Sequence, residues 1–197
     1  MSGAKEIRST IQSTQKTRKI TRAMEMVAAS KMRKTQERMR ASRPYATKIY
    51  EVVRHIARAA SEYRHPFMTA RPVQRLGLIV VTTDRGLCGG LNANLLREVV
   101  RLAKQYAQHD IACDFCVIGR KGQGFFKRMG GRVLASVDHL GDAPSIKNIL
   151  GVVKVMCDAF DKGEIDALHI IHNEFINTIR CLLQKWVCPC MPLKKDS

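Results

Sequence analysis

Leu76-Gly-Leu-Ile-Val-Val-Thr82, followed at once by Thr83-Asp-Arg-Gly-Leu-Cys-Gly-Gly90, is the stretch on which the fold turns. Its first seven residues are a continuous, largely β-branched run suited to a central strand buried on both faces. Gly86, Gly89 and Gly90 then supply a tight turn. Leu95, Val99, Leu102 and Tyr106 recur at helical spacing over Leu91 to Gln108. Buried strand, glycine turn and amphipathic helix together make the first unit of an α/β sheet.

Downstream the pattern repeats. Strands are predicted at Asp114 to Ile118, Arg132 to Val137 and Ala167 to His172, and helices at Gly122 to Met129 and Ile146 to Asp161. Asn173-Glu174 reads as a turn into Phe175 to Leu183, a closing hairpin. The expected architecture is a three-layer, Rossmann-like α/β domain with a mostly parallel sheet over residues 75–184. A linker at 66–74 precedes it, and an atypical tail at 185–197 follows.

Upstream the text is of another kind. Ile7, Ile11, Ile20, Met24, Val27, Ala28, Tyr45, Ile49, Val52, Ile56, Ala60 and Tyr63 fall mostly three or four residues apart. Residues 1–65 therefore predict one long helix, about 90 Å at 1.5 Å per residue, too long for a compact domain of this size. The narrow stripe between basic flanks is that of a coiled-coil seam awaiting a partner helix. Ser13 to Lys19 interrupt it, so looser packing or a polar neighbour is expected there. Pro44 predicts a local irregularity, since the period resumes directly after it.

The 197 residues carry 34 Lys and Arg against 17 Asp and Glu, a net charge of +17, with 45% hydrophobic residues. That apolar content excludes a disordered polycation. The excess is concentrated, with 16 basic against 5 acidic residues in 1–65 and 18 against 12 in 66–197. No secretory signal is visible, and the longest aliphatic run, Leu78 to Val81, is far too short to span a bilayer. An intracellular chain without direct membrane insertion is expected. Seven cysteines at irregular spacing point to free thiols.

Candidate chemistry is sparse. The turn at 83–90 and the cluster Gly119-Arg-Lys-Gly122-Gln-Gly124 both suggest phosphate loops, yet neither matches G-x-x-x-x-G-K-[ST] or G-x-G-x-x-G in its proper place. Tight turns that need φ > 0 are the better account of these glycines. Cys113 with Cys116 and His169 with His172 have ligand-like spacing, but residues three apart in a strand face opposite ways and chelate poorly. Cys188-Pro-Cys190 is equally weak. No nucleophile and base pair is legible, so no catalytic residue, cofactor or metal is expected. The basic helix fits either nucleic-acid binding or a solvated exposed helix, and it lacks interleaved aromatics for base stacking.

The motifs in order then resemble one family. Ile7 to Met32, Arg43-Pro-Tyr45, Thr83 to Asn92, Gly119-Arg-Lys-Gly122 and Phe175-Ile-Asn-Thr178 make the chain similar to the gamma subunits of bacterial F-type ATP synthases. The resemblance implies a non-catalytic rotor stalk that couples proton flow to ATP synthesis or hydrolysis. Its amino-terminal helix would be half of an antiparallel coiled coil inside the alpha and beta catalytic head, and its α/β foot would grip the epsilon subunit and the c-subunit ring. The foot would bind no nucleotide. It also implies that Met24, Lys31, Arg33 and Lys34 meet the acidic lever of the beta subunits, and that Asp84, Arg85 and Cys88 lie near epsilon. The location implied is the cytoplasmic face of the bacterial inner membrane, peripheral to it, with no nucleic acid as partner. After Thr178 the text departs from the family pattern, so a truncated or frameshifted product is expected. The alternative is a defective fragment that binds acidic partners or nucleic acid nonspecifically.

Overall fold

A computed structural model describes residues 2–58, 67, 69, 71–141, 143–177 and 181–187. They belong to two compact units, Met1–Val53 and Arg54–Ser197. Ala60 and Tyr63 of the predicted stripe, and Cys188-Pro-Cys190, lie outside the described residues.

The first unit is helical. Helix α1 spans Ser2–Arg58 and runs unbroken through Pro44. At 1.5 Å per residue it is about 86 Å long. Its apolar stripe faces solvent, with Ile7, Ile20 and Met24 each more than 60% exposed. The stripe is also more regular than its large residues suggest. Ile7, Thr14, Thr21, Ala28, Thr35, Ser42, Ile49 and Ile56 stand every seventh residue, the repeat of a coiled-coil seam.

The polar members of that row are satisfied within the helix. Thr14 Oγ1 donates to the carbonyl of Thr10 at 2.9 Å, Thr21 to Thr17 at 2.9 Å, Thr35 to Lys31 at 2.9 Å and Ser42 to Met39 at 3.1 Å. Such back-bonding is a recurrent habit of Ser and Thr in helices. Within the interruption at 13–19 the hydroxyls of Thr14 and Thr17 are satisfied in this way, while Gln15, Lys16, Arg18 and Lys19 keep the stretch polar.

The second unit alternates strands and helices: β1 Arg75–Val81, α2 Leu91–Ala107, β2 Ala112–Ile118, α3 Arg120–Met129, β3 Arg132–Val137, α4 Ile146–Asp161, β4 Ala167–Phe175 and β5 Cys181–Val187. The sheet order is β3-β2-β1-β4-β5. The first four strands are parallel, and β5 is antiparallel to β4. Side-chain alternation along β1 builds the three layers. Leu76, Leu78 and Val80 join Leu95, Val99 and Phe126 of α2 and α3 on one face. Ile79 joins Val152, Met156 and Phe160 of α4 on the other. Each such side chain, fully buried, stabilises by about 1.5–3 kcal/mol before conformational entropy is counted.

One buried charge ties the sheet together at its amino-terminal end. Asp114 in β2 is 2% exposed, with Arg75 Nη1 at 3.3 Å from β1 and Arg132 Nε at 3.7 Å from β3. A carboxylate so buried is tolerable only when paired. Phe67 and Arg71 are anchored on Phe160 at the end of α4: the two rings lie 5.0 Å apart, and Arg71 Nη2 donates to the Phe160 carbonyl at 2.9 Å.

The closing hairpin differs from expectation in its turn. Asn173 and Glu174 belong to β4, opposite Leu183 and Leu182 of β5, so the chain reverses after Phe175. Two polar residues suggested a turn, but Gln184 Nε2 donates to Glu174 Oε2 at 2.7 Å, a cross-strand pair that stabilises them in the ladder.

Candidate partner-binding surfaces

The turn after β1 is organised by its own side chains. Asn92 Oδ1 accepts from the Thr83 amide at 3.2 Å, and Asn92 Nδ2 donates to Thr83 Oγ1 at 2.7 Å and to Cys88 Sγ at 3.2 Å. Cys88 is thereby half-buried inside the turn, whereas Arg85 is exposed. Leu87 stands at the tip, fully exposed and at φ 60°, a left-handed conformation uncommon outside glycine. An exposed leucine held in that conformation is a feature that sequence pattern alone did not single out.

The first turn of α3 abuts this loop, and its amides are occupied. Arg120 N–H donates to Asp84 Oδ1 at 3.0 Å, Lys121 N–H to the Thr83 carbonyl at 3.1 Å and Gly122 N–H to Thr82 Oγ1 at 2.9 Å. The cluster Gly119 to Gly124 is therefore no phosphate cradle, because the chain's own oxygens fill the place an anion would take. Gly122 is required for that closeness: a Cβ there would come within 2.7 Å of Val117 Cγ1 and 2.9 Å of Thr82 Oγ1.

Asp84 has a structural role in this arrangement. Its second oxygen accepts from the Leu140 amide at 2.8 Å, joining the β1 turn to the segment after β3. Burial raises its pKa, but backbone amides of Arg120, Leu140 and His139 outweigh that and bring it below the ordinary 3.8. A pKa depressed in the folded state contributes stability above the unfolded value, lost as pH falls through the folded one. Asp84→Ala is thus expected to cost about 1–2 kcal/mol at neutral pH. The gap to wild type should close below about pH 4; urea titrations across pH 3–7, with a gap that stayed constant, would refute the assignment.

On α1, Met24 is 63% exposed, and Lys31, Arg33 and Lys34 are exposed within about three turns of it. Arg33 Nε lies 3.2 Å from Glu37 Oε1, an exposed pair. Met24 and Lys31 are seven residues apart and share a face, an apolar contact and a charge in one line.

The pairs with ligand-like spacing separate as strand geometry requires. Cys113 lies on the α2 face of β2 and Cys116 on the α4 face. Burial pushes the Cys116 thiol up to about 11 and raises Cys113 as well, so both behave as neutral apolar filler. His169 is buried against Tyr106, with ring centroids 6.1 Å apart, while His172 is half-buried on the opposite side of the strand. Among the described residues no group of three or more His, Cys, Asp or Glu is placed to hold a metal ion, and no helix is long and apolar enough to cross a membrane.

The family described as ATP synthase matches residues 3–190. Over its whole length the chain is 66% identical to the ATP synthase gamma chain of Legionella pneumophila (strain Corby), covering 67% of that protein. The chain belongs to the ATP synthase gamma chain family. It is also 56% identical, over 198 aligned residues covering 68% of the relative, to the gamma chain of Coxiella burnetii (strain Dugway 5J108-111). These matches extend over the segment after Thr178, where the sequence by itself suggested a departure from the gamma family. Among solved structures, the central stalk and c-ring of the Tetrahymena thermophila mitochondrial ATP synthase shares the fold. Its TM-score is 0.64 at 24% identity, covering 85% of this chain and 71% of that one.

Proposed function

We propose that this gamma chain is the rotor stalk of a proton-translocating ATP synthase and contributes no catalytic group of its own. The observation that carries the reading is the whole-chain match to bacterial gamma chains at 66% identity. The physical design supports it, because a shaft must be long, stiff and lined with residues that other chains cover. In this reading residues 1–65 form the shaft and 75–184 the foot. The heptad row of α1 takes an antiparallel helix. Met24, Lys31, Arg33 and Lys34 meet the acidic lever of the beta subunits, where charge complementarity favours docking.

The foot turn, with Arg85 at its surface and Asp84 and Cys88 holding its shape, faces epsilon, and the foot rests on the c-subunit ring. A shaft drives a neighbour between states only by contacting those states differently. The uneven distribution of cations along α1 supplies that difference. The complex would lie at the cytoplasmic face of the inner membrane, with this chain peripheral.

Co-expression with bacterial alpha and beta chains tests the reading. The expected result is co-purification and ATP hydrolysis dependent on this chain. Lys31→Glu/Arg33→Glu/Lys34→Glu should lower that hydrolysis at least about tenfold, the effect of about 1.4 kcal/mol in coupling. Failure of the chain to associate with the head would refute the proposed function and leave the family and fold unchanged.

A further inference from the structure

We propose that the groove between α2 and α3 is a docking site for an acidic segment of another protein that inserts an apolar side chain. The groove has a volume of about 500 Å³; its floor is Leu96, Val100 and Phe125 and its rim is Arg97, Lys121 and Arg128. Leu96 is buried and Phe125 half-buried, whereas the three cations are exposed. Among the described residues none of the three is paired with a carboxylate, and no acidic side chain lines the groove.

Helix α3 carries Arg120, Lys121, Lys127 and Arg128 and no acidic residue. Two of the four stand in its first turn, where the positive end of the helix dipole disfavours them. Local helix stability therefore does not account for Arg120 and Lys121, for which a neighbour of opposite charge would, whereas Lys127 and Arg128 stand in the last turn, where the dipole favours them. Lys121 and Arg128 are seven residues apart, so they project from one side about 10.5 Å apart along the axis. Arg97 reaches the rim from α2, where its Nη1 donates to Asn94 Oδ1 at 3.1 Å. Carboxylates two helical turns apart, with a leucine-like side chain between them, match this frame. A planar anionic membrane reaches the rim but not the recessed floor, which favours a protein segment. The inference does not depend on the rotor role.

The test uses the full chain and a fluorescein-labelled helical peptide of about fifteen residues, with glutamates two turns apart and leucines between them. Binding is read by anisotropy at fixed ionic strength. Arg97→Glu/Lys121→Glu/Arg128→Glu is expected to weaken it at least about tenfold, and the same peptide with glutamine for leucine to bind about fivefold more weakly than the leucine form. Reversing three α1 cations instead, Arg8→Glu/Lys16→Glu/Arg22→Glu, should change affinity less than about twofold. An equal loss from the α1 variant, or equal binding of the glutamine peptide, would reduce the groove to general charge attraction and overturn the proposal. So would binding of vesicles of one part phosphatidylglycerol to three parts phosphatidylcholine that responds to the groove variant when the peptide does not.

Discussion

Gly119→Ala is expected to destabilise the α/β unit by about 3–5 kcal/mol, a large part of the 5–15 kcal/mol that holds a typical domain together. Gly119 has φ 99° and ψ 142°, a region that side chains rarely enter. A Cβ there would lie 2.3 Å from the Thr82 carbonyl oxygen and 2.7 Å from its carbon, both backbone atoms that no rotamer change can move. Retreat is blocked as well, because the Gly119 amide donates to the Val137 carbonyl at 2.7 Å and so fixes the link between β2 and β3. Urea unfolding followed by the fluorescence of Trp186, the only tryptophan, reads the loss.

Gly124 provides the internal contrast. It lies inside α3, exposed, and a Cβ there meets nothing within 4 Å. Gly124→Ala should leave stability unchanged or raise it by up to about 1 kcal/mol. A loss below about 1 kcal/mol for Gly119→Ala, or equal losses for both, would contradict the close-approach account.

The second large effect is in backbone protection. In the isolated chain, amides of Ile7 to Met39 should exchange within about a hundredfold of unstructured rates, while those of Leu78 to Val81 should be slower by at least about a further thousandfold. The reason is burial. Leu78 and Val80 are 0% exposed within two layers of helix, whereas Ile7 and Ile11 are 62% and 51% exposed. A lone helix draws most of its stability from a face packed against something else. Hydrogen exchange with mass-spectrometric readout settles the matter, and equal protection in the two segments would mean that α1 is stabilised by a contact of its own.

The sheet was legible because its signals are local. An unbroken aliphatic strand, glycine turns and helical periodicity placed β3 at Arg132–Val137 and α4 at Ile146–Asp161 where the structure has them. Elements were misjudged where distant partners decide. Asn173 and Glu174 carry turn-like side chains but lie opposite a strand whose pairing the local text does not reveal. The candidate surfaces were legible in part. The cations of α1 were singled out by the family resemblance, not by charge or spacing, and the engagement of Asp84 with Arg120 and Leu140 depends on residues 36 and 56 positions away. The groove between α2 and α3 escaped notice for the same reason: its floor and rim come from two helices that meet only after the sheet has formed.

The hydroxyls turned inward along α1 bear on the order of assembly. A seam of ordinary polar residues would have to give up hydrogen bonds to water when a partner helix arrives, and each would resist being dried. Thr14, Thr21, Thr35 and Ser42 have already made theirs to their own backbone. The same face can stand in water before its partner is present and be sealed afterwards with no donor orphaned. The seam of helix α1 can thus pass from water to a covered state without rearranging these four hydroxyls.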